Sequence, residues 1–282
     1  MMMNRKSSLY FNTGYQLQAG FNVFEIKLLR QSNFLFVTMR VYPNFSEQYT
    51  HIENKKEIMM TANNRLTFEK SAIEAMTAKD PEMKKLVTLI GDISLTKRED
   101  HFKSLVRSCI GQQLSVKAAK TIYARFEELV GEITPEAVLK FSDEELRSVG
   151  LSKQKIAYLR DLSEKVLAKE VDLDQLERMD NDEIRKVLTS VKGIGPWTAE
   201  VFLIFSLGRT DVLPVGDLGL QRACQWLYQV ERDNNGKQLI KSHASKWHPH
   251  YTAASLYLWE AINQGLVAQY PSVDEAWEQL KN

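Results

Sequence analysis

VKGIGPWTAE, residues 191–200, sets two glycines, a proline and a tryptophan into a short connection between two stretches of helical periodicity. On its N-terminal side Ile184, Val187, Leu188 and Val191 recur at helical spacing behind a cap at Asp180 or Asn181. On its other side Pro196 stands where a first helical position falls, and WTAEVFLIFSL continues to Gly208. The stretch therefore reads as two helices joined by a tight hairpin. Gly193 and Gly195 tolerate positive φ and carry no side chain, which leaves the N–H groups of the turn and of the second helix bare. Such a helix start attracts anions through its dipole. Two readings stay open on these residues alone. One is a plain αα-hairpin; the other is a hairpin that grips a DNA backbone phosphate through Lys192, Gly193, Ile194, Gly195 and Thr198.

Outward from this stretch, the 3.6-residue period dominates from about residue 68. Phe68, Ala72, Ile73 and Met76 form one apolar face, and Pro81 opens a second helix ending at Gly91. Leu105, Cys109, Ile110, Leu114, Ala118, Ile122, Phe126 and Leu129 continue the pattern to Gly131. Thr134 precedes a proline as a cap, and Ser142 with Glu145 has the spacing of a capping box. Residues 1–60 differ. FEIKLL (24–29) and FLFVTMRVY (34–42), separated by Arg30 to Asn33, read as strand, turn and strand. The expected fold class is mostly all-α, with a small β-rich segment at residues 1–60 and a helical domain over 61–282.

The 282 residues are 44% hydrophobic and 26% charged, without low-complexity tracts or a fixed repeat, which excludes disorder and solenoids. No apolar run approaches the roughly 20 residues of a membrane span, and the N-terminus lacks a signal peptide's apolar core. Cys109 and Cys224 belong to no Cys-x-x-Cys or Cys/His cluster, so neither an iron–sulfur cluster nor a disulfide scaffold is expected. His248 and His250 lack a third ligand nearby for a metal. A cytoplasmic protein without metal or cofactor is the expectation. The net charge of +1 puts any affinity for nucleic acid into local charge: Lys103, Arg107, Lys117, Lys120, Arg125, and then Lys153, Lys155 and Arg160. Solvated helix faces explain the same runs equally simply.

About 20 residues after the hairpin, DVLPVGDLGLQR (211–222) places Asp217 in a Gly/Pro-bearing loop ahead of an apolar helix. Alone, Asp217 reads as a helix N-cap. With FKSLVRSCIGQQLS (102–115), GLSKQKIAYL (150–159) and the Trp247–Pro249 to Trp259 stretch, it resembles the helix–hairpin–helix DNA glycosylase superfamily (HhH-GPD) over roughly residues 65–270. The nearest branch is 3-methyladenine DNA glycosylase II.

This resemblance implies two helical lobes, about 102–209 and about 61–101 with 210–282. It implies an extruded nucleotide whose sugar faces Asp217, the carboxylate stabilising positive charge at C1′ and orienting a water. Trp197 and Trp259 fall at positions that line the base pocket, with Phe202 and Tyr257 as further lining. Stacking on indole favours a cationic alkylated base. In the implied turn Gly111-Gln112-Gln113-Leu114, Gln113 best matches the side chain that fills the vacated stack, with Leu114 second, although the helical spacing of Leu114 reads as core. Trp197 replaces the nucleophilic lysine of bifunctional members, which implies base release without strand cleavage. Val201, Tyr251 and His101 depart from residues common in relatives. The implied partner of this monomer is damaged double-stranded DNA, with no membrane. A glycosylase for another base, and a non-catalytic helix–hairpin–helix module in which Asp217 is only a cap, remain as alternatives.

Overall fold

The computed structural model describes residues 12–19, 22–31, 34–43, 60–61, 64–230 and 235–280. The chain divides into two units, Met1–Glu57 and Ile58–Asn282. In the first, β1 (Asn12–Ala19), β2 (Asn22–Gln31) and β3 (Phe34–Pro43) form an antiparallel meander in the order β1-β2-β3, with Ile26 opposite Met39. The sequence pattern marked β2 and β3, and the backbone adds β1.

The second unit opens with β4 (Met60–Thr61) and β5 (Arg65–Thr67), which pair with β6 (Ser94–Thr96). This small sheet corrects the expectation of an all-helical chain after residue 60. Between its strands lie α1 (Lys70–Thr77) and α2 (Pro81–Ile90). After β6 come α3 (His101–Gly111), α4 (Val116–Val130), α5 (Pro135–Lys140), α6 (Asp143–Ser148) and α7 (Lys153–Leu167). Then follow α8 (Asn181–Thr189), α9 (Pro196–Phe205), α10 (Leu218–Leu227) and α11 (Gly236–Trp247). The last helices are α12 (Tyr251–Asn263), α13 (Leu266–Gln269) and α14 (Val273–Leu280).

The local chemistry of these helices follows the sequence closely. Ser142 and Glu145 form the capping box that opens α6, Thr134 caps α5, and Asp180 rather than Asn181 caps α8. One break, which the family resemblance implied as a turn over residues 111–114, was not signalled by periodicity. The apolar period through Ile110, Leu114 and Ala118 suggests continuity, yet α3 stops at Gly111, Gln113 takes φ +57°, and the Ser115 hydroxyl caps α4. Leu114 is consequently 37% exposed in the turn, not in the core.

The hydrophobic interior falls into two clusters. One gathers Leu105, Ile110, Leu159, Leu188 and Leu203 from α3, α7, α8 and α9. The other gathers Met83, Leu220, Trp247 and Tyr257 from α2, α10, α11 and α12. Full burial of each such side chain contributes about 1.5–3 kcal/mol. Phe68 and Trp259 pack against both clusters. Fully buried Asp80 serves the second cluster: it caps α2 through the Met83 N–H and accepts hydrogen bonds from Trp247 Nε1 at 2.9 Å and from the Tyr228 hydroxyl. A buried indole N–H needs such a partner. No helix among the described residues is long and apolar enough to cross a membrane.

Candidate active site

The hairpin joins α8 to α9. Gly193 has φ +80°, and a Cβ there would meet the Tyr158 ring at 2.2 Å, so this glycine answers a packing demand behind the turn. Gly195 has φ −91°, and a Cβ on it would meet nothing within 4 Å. The bare approach expected at both glycines is thus found at Gly195, and without positive φ. No side chain caps α9. Ile194 is buried and its N–H donates to Val191 O. Lys192 turns to Asp161: its N–H donates to Oδ2 at 2.8 Å and its Nζ lies 3.2 Å from Oδ1. Burial raises the Asp161 pKa, but these bonds and Lys165 outweigh it and hold the carboxyl below its ordinary value. The Lys192 ammonium thus pairs with Asp161 beside the hairpin while its side chain stays 72% exposed. Thr198 is buried, and its hydroxyl accepts from Gln112 Nε2 at 3.2 Å.

Asp217 is the N-cap of α10. Its Oδ1 accepts from Leu220 N–H at 2.7 Å and from Trp259 Nε1 at 3.1 Å, and its Oδ2 accepts from Trp197 Nε1 at 2.7 Å. Three donors from α9, α10 and α12 thereby fix one carboxylate, and the hairpin's own helix supplies the shortest indole bond. Trp197 remains 41% exposed, while Trp259 is half-buried and meets Phe205 with ring centroids 5.6 Å apart. Gly216, just before Asp217, is also open on its Cβ side. A carboxylate held at a partly open cleft between two indole rings, beside an uncapped helix start, suits an anionic strand carrying a cationic or developing positive centre.

Two expected lining residues lie elsewhere. Phe202 is fully buried on the inner side of α9 and meets the His101 ring at 5.5 Å. Tyr257 is buried and donates to Gly91 O at 3.0 Å, since residues two apart on a helix face opposite ways and Trp259 takes the cleft side. Gln113 is exposed in the α3–α4 turn beside Leu114.

Residues 106–250 match the model of the HhH-GPD superfamily base excision DNA repair proteins. The chain belongs to the HhH-GPD superfamily. The DNA-3-methyladenine glycosylase 1 of Schizosaccharomyces pombe is 34% identical over 217 residues, spanning 74% of this chain and 91% of that one. The solved DNA-3-methyladenine glycosidase of Bacillus halodurans is 41% identical with TM-score 0.68, covering 76% of this chain and 99% of that one. A Schizosaccharomyces pombe 3-methyladenine DNA glycosylase solved with abasic DNA is 32% identical with TM-score 0.65, covering 71% and 99%. The matched HhH-GPD region contains both the hairpin and Asp217.

Sequence reading missed three residues of this HhH-GPD site. Phe205 lies eight residues after Trp197 and four after Val201, a spacing that puts all three on one helix face and was legible. Gly219 interrupts the first turn of an apolar helix, a signal of close packing: a Cβ there would meet Asp217 Oδ1 at 3.0 Å. Gln112 had no local signal. Its Nε2 donates to Gly193 O at 2.8 Å, across 81 residues of sequence, and so ties the exposed α3–α4 turn to the hairpin.

Proposed function

We propose that the protein is a DNA glycosylase that excises alkylated purines of the 3-methyladenine type and leaves the strand intact. The observation that carries this reading is the Asp217 carboxylate held between the indole N–H groups of Trp197 and Trp259. The family and the activities for which its relatives are named support it. In the reaction the N-glycosidic bond breaks, positive charge develops at C1′, and water adds there to give an abasic sugar and the free base. The carboxylate stabilises that charge and orients the water. Indole faces bind a cationic base by stacking and cation–π attraction, worth roughly 1–2 kcal/mol. The uncapped start of α9 and the open backbone at Gly195 hold a phosphate, while Gln113 or Leu114 fills the vacated stack. Trp197 offers no amine for a Schiff base, so release is hydrolytic.

The test is excision from duplexes bearing 3-methyladenine, 1,N6-ethenoadenine, hypoxanthine or 8-oxoguanine, read after alkaline cleavage of abasic sites. Product from the alkylated purine, with no adduct trapped by borohydride, is the expected result. One observation favours a second reading: Asp217 Oδ1 is also an ordinary cap for Leu220 N–H. Binding without product on every duplex would make the protein a non-catalytic module, and a trapped adduct would make it bifunctional.

A further inference from the structure

Beyond Pro196 at its exposed start, the residues of α9 that keep solvent access are Trp197, Glu200, Val201 and Phe205, whereas Thr198, Ala199, Phe202, Leu203 and Ile204 are buried. The partly open face is the one that meets the cleft, because Trp197 bonds Asp217 and Phe205 meets Trp259. Glu200 lies one turn after Trp197 on the edge of that face, half-buried. Two charged groups act on it from neighbouring elements: Arg185 of α8 and Asp217 at the cap of α10. Arg185 is committed to Asp182 through a 2.5 Å contact. The described residues give Glu200 no hydrogen bond or ion pair. Burial pushes its pKa above the ordinary glutamate value; Arg185 opposes that rise and the like charge of Asp217 adds to it.

A second carboxylate without a partner beside Asp217 is unfavourable in the empty protein, and a cation entering the cleft relieves it. We infer that Glu200 is a specificity-determining residue that, together with Asp217, makes the cleft prefer bases bearing a formal positive charge over neutral lesions. A 7-methylguanine or 3-methyladenine nucleotide carries such a charge on its ring, and hypoxanthine does not. The inference rests on the glycosylase reading and names the property by which that site selects its substrate. The indoles also favour a cation through cation–π attraction, but that contribution is the same whether residue 200 is Glu or Gln, so a change in preference between the two proteins reports the Glu200 carboxylate. The interaction of that carboxylate changes with the charge of the base.

The experiment uses the full chain and the nearly isosteric variant Glu200→Gln. Single-turnover excision is measured from duplexes containing 7-methylguanine and from duplexes containing hypoxanthine. The expected result is that the ratio of the two single-turnover rate constants, measured at subsaturating protein, falls about tenfold in the variant, the size of a partly screened charge contact. A second readout is the pH dependence of that ratio. As the pH is lowered, protonation of Glu200 erodes the wild-type preference for 7-methylguanine, and the variant loses this pH dependence of the ratio. A ratio that is the same in both proteins at every pH overturns the inference while leaving the glycosylase reading intact. Excision of neither base by the wild-type chain overturns the glycosylase reading and the inference with it.

Discussion

At residue 219 the absence of one methyl group keeps the Asp217 carboxylate in place. A Cβ there would lie 3.0 Å from Oδ1 of Asp217 and 3.3 Å from Cδ1 of Ile262. In a helix, Gly→Ala ordinarily adds about 0.5–1 kcal/mol of stability. Because displacing the carboxylate also disturbs the cap of α10, Gly219→Ala is expected to leave the melting temperature within a few degrees while lowering kcat by about 10- to 100-fold. Unchanged turnover would show that the carboxylate tolerates the shift. Gly193 behaves oppositely. Its positive φ and the Tyr158 ring 2.2 Å from a Cβ make Gly193→Ala destabilising by about 2 kcal/mol or more, measured by denaturant unfolding. A loss under about 0.5 kcal/mol would contradict that packing. Both glycines were visible in the sequence. Which of the hairpin pair served packing and which left an opening was not, because that depends on Tyr158, more than 30 residues away.

The elements that act on DNA in this account are the α3–α4 turn and the α8–α9 hairpin, and Gln112 joins them. Removing its two hydrogen bonds is expected to cost about 1–2 kcal/mol of their mutual fixation. Gln112→Ala should then slow excision by about tenfold and reduce the fluorescence change of a base analogue placed beside the lesion. Full retention of both signals would show that the turn and hairpin act independently. Caps and helix starts were legible at this scale, since Ser142, Thr134 and Pro81 act within three or four residues of themselves. The α3–α4 break was legible only through the family resemblance, not from periodicity. Leu114 kept the apolar period, while the turn is set by Gln113 adopting positive φ and by Ser115 capping α4. The strands β4, β5 and β6 are two or three residues long, too short for an alternating pattern to register.

Across the molecule, the helical fold was readable from periodicity and from the motifs shared with the glycosylase family, while the buried polar network behind the second core was not. Asp80, Tyr228 and Trp247 meet across more than 140 residues of sequence. Burial, followed by the hydrogen bond to Asp80, pushes the Tyr228 pKa above the ordinary tyrosine value. The folded chain thus holds that proton more tightly than the unfolded one. Its stabilisation is present below about pH 10 and is lost as the pH rises past it. Denaturant midpoints should fall above about pH 10 in the wild type and fall less in Tyr228→Phe, with parallel curves contradicting the assignment. The central claim concerns Asp217, which the fold brings to Trp197 and Trp259 from three separate helices. Asparagine also caps helices well, so Asp217→Asn should preserve the melting temperature and the affinity for duplex containing an abasic analogue. Single-turnover excision of an alkylated purine by this variant is the most direct test: a rate at least about 100-fold below wild type is predicted, and a rate within about tenfold would contradict the account.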